Sequence, residues 1–211
     1  LNKGYPEKRS RRLVADRYQL NTAQRTVLYR GVFSAEVNRR RRELLTDAAH
    51  VRTQVLLIDF LNLIYLLMNY LYGRNLFIAT DGIMRDDGEN YSDFSSRPIF
   101  AHVIELIKKA LMEVQPSVIE IVVDHPHSSL PFDILQDASA LYAEFCSLPA
   151  EIKIHFTDAA DRYLQYRRDV VLVSADSHII DRCTTRVFDM AAYILHRNYQ
   201  ADFPRLEDFS M

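Results

Sequence analysis

An α/β domain with a mainly parallel sheet, preceded by a basic helical region, is the fold class the sequence predicts. Two observations carry that prediction. From residue 54 onward, short apolar runs alternate with helical segments, the pattern of repeated strand-helix units. The runs VLLI (55–58), IEIVV (119–123) and VVLV (170–173) lack polar alternation, as strands do when helices cover both faces of their sheet. In chain order, residues 9–16 read as a short basic helix. Asn21 is a good N-cap for a helix from Thr22 with Val27, Leu28 and Val32 at core spacing, and Arg39-Arg40-Arg41-Arg42 lies in its continuation towards Leu45. Strands are expected at 54–59, 76–80, 118–124, 152–156, 170–174 and 186–188. Helices are expected at 61–72, 98–114, 131–145, 158–167 and 177–183. The boundary falls near residue 50, giving a basic helical region over 1–50 and an α/β domain over 51–211. Residues 55–72 are long enough to span a bilayer. They carry Asp59, Asn62 and Asn69, so they read as a buried strand running into a buried helix.

The chain has 211 residues, 48% of them hydrophobic, which suffices for a sizeable core and excludes a disordered chain. Its net charge of -2 conceals an asymmetry. Residues 1–52 hold 13 basic and 5 acidic side chains, a balance of +8, and the remainder carries -10. A basic arm suggests a polyanionic partner, and an acidic body suggests cation binding if the acids converge; solvated helix surfaces are the alternative. Four consecutive arginines cannot share one helix face. Together with Lys8, Arg9, Arg11, Arg12 and Arg17 they are candidates for phosphate contact. Two cysteines, Cys146 and Cys183, exclude a disulfide framework and a cysteine zinc site. With no signal peptide at the start of the given sequence, a reducing, cytoplasmic setting is expected.

Three expected strands close on a carboxylate: LLID at Asp59, IVVD at Asp124 and LVSAD at Asp176. Ligands of open α/β sheets bind outside the carboxyl ends of the strands, so these acids have a common place to meet. Three carboxylates stay ionised together only if a cation, or a partner's positive charge, compensates them, and a hard divalent ion such as Mg2+ or Mn2+ suits oxygen donors. Capping of the following helices is the other explanation, good for Asp176 and passable for Asp59. Asn62 lies one helical turn past Asp59. The loop Asp81-Gly82-Ile83-Met84-Arg85-Asp86-Asp87-Gly88 adds Asp81 and Asp86 as supporting acids and Arg85 as either a phosphate clamp or a salt-bridge partner of its neighbours. Asp181 is a further supporting acid. With five glycines the chain has no GxGxxG, P-loop or GxSxG motif. His125 and His127 lack HExxH or cysteine partners for zinc, which leaves orienting a substrate or phosphate as the role they can take.

Asp59-Phe60-Leu61-Asn62, then Asp124, then Ser174-Ala175-Asp176 resembles the acidic pattern of PIN-like nucleases. The wider chain looks like a prokaryotic family of that superfamily catalogued as a domain of unknown function. The likeness runs through Gly4-Tyr5-Pro6, Asp16-Arg17-Tyr18-Gln19-Leu20, Leu28-Tyr29-Arg30-Gly31, Asp81-Gly82-Ile83-Met84-Arg85-Asp86, Asp124-His125-Pro126 and Asp176-Ser177-His178-Ile179-Ile180-Asp181. The resemblance implies a three-layer α/β/α fold, Mg2+ or Mn2+ at Asp59, Asp124 and Asp176, and hydrolysis of RNA or structured DNA. One departure is Phe60, where the family has Gly; a ring there is expected to narrow the approach to the metal. The expected partner is nucleic acid, RNA ahead of DNA, with no membrane and with a homo-oligomer as an option. A non-catalytic nucleic-acid-binding or assembly module is the alternative. A haloacid dehalogenase-type phosphatase ranks last, because the second acid of its Asp-x-Asp is Leu61 here.

Overall fold

The computed structural model describes residues 1–88, 95–124 and 135–209, so His125, His127 and the expected start of the helix at 131 lie outside the described residues. Three helices open the chain: α1 (Glu7–Arg17), α2 (Thr22–Gly31) and α3 (Ala35–Leu44). Asn21 caps α2 as its position indicates, and Gln24 reciprocates at the Asn21 N–H to complete a capping box. The arginine run is not a continuation of α2. Val32 is extended, and Ser34 starts α3 by accepting from Val37 N.

The rest alternates strands and helices: β1 (Leu45–Thr46), α4 (Ala48–Val51), β2 (Val55–Asp59), α5 (Phe60–Leu71), β3 (Leu76–Ile78), β4 (Met84–Asp86), α6 (Arg97–Val114), β5 (Val118–Asp124), α7 (Ala138–Phe145), β6 (Glu151–Thr157), α8 (Ala160–Tyr166), β7 (Val171–Val173), α9 (Ser177–Arg182), β8 (Arg186–Phe188) and α10 (Met190–Tyr199). Six strands form one parallel sheet in the order β1-β8-β7-β2-β5-β6. Right-handed crossovers put α5 to α7, on the steps β2 to β5 to β6, over one face. The return steps β6 to β7 to β8 put α8 and α9 over the other, giving an α/β/α sandwich. Leu56, Leu57 and Ile58 are each fully buried, as a two-sided cover requires.

Several elements differ from the sequence reading. The run at 76–80 does not join the main sheet; its first part is β3, which pairs antiparallel with an unforeseen β4. Strand β1 adds an unforeseen edge, Leu45 pairing with Val187 and Thr46 with Phe188, so the chain ahead of residue 50 contributes to the sheet. Helix α10 was also unread. It is capped by Asp189 and packs with α5 and α6. The apolar stretch after residue 54 is the expected strand and helix, with eight of the twelve α5 residues buried. Among the described residues no helix is long and apolar enough to cross a membrane. Phe60 does not face the acids' edge as an obstruction: its ring is fully buried, edge-on to Phe145 of α7 at 5.9 Å.

Gly31 closes α2 where a Cβ would come within 2.6 Å of the Phe77 ring and against Leu206. Phe77 is buried and cannot swing away. Gly31→Ala is therefore expected to destabilise the protein by about 1–3 kcal/mol in urea unfolding, as overpacking does; an unchanged midpoint would show that the contact relaxes freely.

Candidate functional site

Strands β7, β2 and β5 are neighbours and run in one direction, so their carboxyl ends share an edge. The chain passes from β2 to one side and later returns to β7 on the other. The sheet's topological switch point therefore lies between β2 and β7, where open α/β sheets form their crevice. Asp59 ends β2 there. Ile58 is in register with Val173, which sets Ser174 level with Asp59, and Ser174 Oγ donates to Asp59 Oδ2 at 2.8 Å. Asp59 also aligns with Val122, so Asp124 stands two residues further along β5.

Asn62 accepts from Ala175 N at 2.9 Å and thereby holds the loop that follows β7. Asp176 caps α9, accepting from His178 N at 2.6 Å and Ile179 N at 3.3 Å. The capping explanation thus holds for Asp176; for Asp59 it holds only weakly, the Asn62 backbone N–H drawing its pKa down without a full capping bond to α5. Burial pushes the Asp59 carboxyl up from 3.8 to about 7; the hydrogen bond from Ser174 opposes that rise, and the charges of Asp176 and Asp161 add to it. Asp161, on α8, is raised by burial and by Asp176 and Asp124. It is a fourth acid of this edge that the sequence reading passed over, because it begins a helix and ends no strand.

These oxygen donors and their mutual repulsion suit a hard divalent cation, yet among the described residues no three of His, Cys, Asp and Glu stand close enough to hold one ion.

Of the supporting residues, Asp81, Arg85 and Asp181 form a separate group with Arg41 behind that edge. Asp81, fully buried, receives both arms of Arg85 at 2.7 and 2.8 Å and Arg41 Nη1 at 2.8 Å. Arg41 also grips Asp181 with two bonds of 2.9 Å. Burial alone would raise Asp81, but Arg85 and Arg41 hold it below the usual carboxylate range; burial would lower Arg41, but Asp181 and Asp81 raise it. Arg85 is therefore the salt-bridge partner of Asp81, and its Nε reaches Ala175 O at 3.2 Å. Three guanidinium groups lie over the buried Phe33 ring: Arg41 at 4.1 Å, Arg85 at 5.1 Å and Arg11 at 5.3 Å. Nothing in sequence spacing singles out Phe33. Asp86 belongs elsewhere, paired with Arg30 at 3.0 Å and accepting from Gly88 N.

Most of the arginine run is engaged within the molecule. Arg40 donates to carbonyls at the end of α9, and Arg42 pairs with Glu207 and donates to Thr80 O at 2.6 Å. Arg11 donates to Val32 O. Arg9, Arg12 and Arg39 are exposed, Arg12 beside Asp16 at 3.7 Å.

Asp81→Asn leaves two buried guanidinium groups short of charge, so an unfolding free energy lower by about 3–5 kcal/mol is expected from denaturant titration; a loss below about 1 kcal/mol would mean the triad is replaceable. Folding favours the neutral form of Asp59. Its contribution is fully present below 3.8 and is lost as the pH rises through about 7. In EDTA, across that window, the melting temperature of the wild type should fall more steeply than that of Asp59→Asn. Parallel curves would contradict this.

A family model described as Domain of unknown function (DUF5616) matches residues 48–193, and one described as Protein of unknown function (DUF434) matches residues 1–43. Neither a curated protein nor a solved structure matches. Since the first of these models spans well over half of the 211 residues, the chain belongs to the DUF5616 family.

Proposed function

We propose that the chain is a metal-dependent nuclease of the PIN-like kind, hydrolysing phosphodiester bonds of RNA or structured DNA. One observation carries the reading: Asp59 closes β2, Asp124 closes the neighbouring β5 and Asp176 follows β7, so all three belong to the carboxyl edge of three adjacent parallel strands, Asp59 and Asp176 flanking the point where the sheet's order reverses. The resemblance of Asp59-x-x-Asn62, Asp124 and Ser174-x-Asp176 to the PIN-like pattern supports it. Asp59 and Asp176, with Asp124, would hold Mg2+ or Mn2+. A bound ion supplies charge neutralisation at the phosphate and a water acidified for attack. The chain's own contribution is positioning. Ser174 orients Asp59, Asn62 pins Ala175, and Arg85 holds Ala175 from behind, so the loop carrying Asp176 is fixed from two sides. Asp161 adds negative charge that draws a cation to this edge.

A second reading, a binding module that no longer cleaves, is favoured by one finding: among the described residues no three acids approach closely enough to share an ion. Asp124→Asn separates the two. For a nuclease, the wild type cleaves single-stranded RNA or DNA with Mn2+ or Mg2+ and the variant loses about 100-fold or more in rate while still binding, since metal-assisted attack on the phosphate is removed. Absence of cleavage by the wild type across both metals and a broad substrate panel hands the function to the binding module. Equal cleavage by both proteins removes Asp124 from the site.

A further inference from the structure

Between the N-terminal helices and α9 lies a cleft of about 380 Å³, a volume in the range of small-ligand sites. Arg11, Tyr29 and Arg30 line it from α1 and α2; Asn62, Asp176 and His178 line it from the α/β side. The cleft therefore opens directly onto the edge assigned above to catalysis. Its inner wall is the Phe33 ring with guanidinium groups stacked over it. Arg41 and Arg85 are matched by Asp81, but Arg11 is not. The Arg11 fork is spent on a neutral acceptor, Val32 O, and among the described residues its acid partner is Glu7 at 3.4 Å, an exposed residue of its own helix that lines the cleft, as does Asp181, which Arg41 already holds. Burial, and then the like charge of Arg41, push the Arg11 guanidinium pKa down against the pull of Glu7. A half-buried cation in that state gains by receiving an anion. His178 stands on the same walls, as does Arg30, which Asp86 pairs, and Tyr29 is an aromatic residue of the lining beside which a base has a stacking partner.

We infer that this cleft is a nucleotide subsite, taking the phosphate of an unpaired nucleotide at Arg11 and its base beside Tyr29. The inference rests on the nuclease reading for its purpose, since it places the bound nucleotide next to Asp176. Two sources share this chemistry, a free mononucleotide and a single-stranded nucleic acid.

The test is equilibrium binding in EDTA, where no metal-dependent cleavage occurs. The probes are AMP, inorganic phosphate, a short 5′-phosphorylated single strand and the same strand annealed as a duplex. Wild type, Arg11→Gln and His178→Ala are compared, the last an exposed position outside the N-terminal helices, with melting curves to show that each is folded. AMP or the single strand should bind ahead of phosphate and duplex, and each substitution should weaken binding about tenfold, the scale of one charge-assisted hydrogen bond. Tighter binding of the strand assigns the subsite to nucleic acid, and tighter binding of AMP assigns it to a free nucleotide. No binding of either, binding of phosphate as tight as of AMP, or folded variants that bind like wild type overturns the subsite. Binding in EDTA with no cleavage in metal would retire the nuclease reading and keep the subsite. Cleavage whose KM and kcat ignore both substitutions would do the reverse.

Discussion

Asp81 is withdrawn from solvent with Arg85 on one side and Arg41 on the other, and helix α3 is anchored to the α/β domain through that carboxylate. Burying one guanidinium group in a protein interior is costly. Burying two beside each other is tolerable only with a negative charge between them and a second acid, Asp181, completing the hydrogen bonds of Arg41. Arginine suits this position because its planar fork satisfies a carboxylate with two bonds at once, which a lysine cannot do. Helix α3, strand β4 and helix α9 share no strand pairing, and they meet through these side chains.

The same charges shape the candidate site. Arg85 holds the carbonyl of Ala175, and Asn62 holds its N–H, so the backbone just ahead of Asp176 is gripped by side chains from two elements. Asp176 then caps α9, whose far end is held by Arg40 and whose Asp181 is held by Arg41. The acidic edge and the cationic cluster are thus two sides of one loop. Negative charge is concentrated where the strands end, and positive charge is stacked on Phe33 one layer behind.

Much of this was legible because it is local. Apolar runs without alternation gave the buried parallel strands. Asn21 gave the start of α2, and the carboxylates that follow three such runs could be assigned to one edge of the sheet. What was illegible depends on distant pairing. A run of four arginines reads as surface, since nothing near it in sequence announces Asp81 or Asp181; the partners come from other turns of the chain. Phe60 read as an obstruction because its position one residue past Asp59 fixes its proximity but not its direction, and the core claims the ring. Strands β1 and β4 are two and three residues long, too short for any periodicity to mark them.

Strand β1 has an implication for how the molecule is assembled. It is made early, yet its neighbour in the sheet is β8, close to the other end of the chain. A ribosome delivers the first helices long before the surface that receives them exists. The segment holding α3 and β1 is therefore completed late, and until α9 and β8 emerge Arg40 and Arg41 are without Asp181.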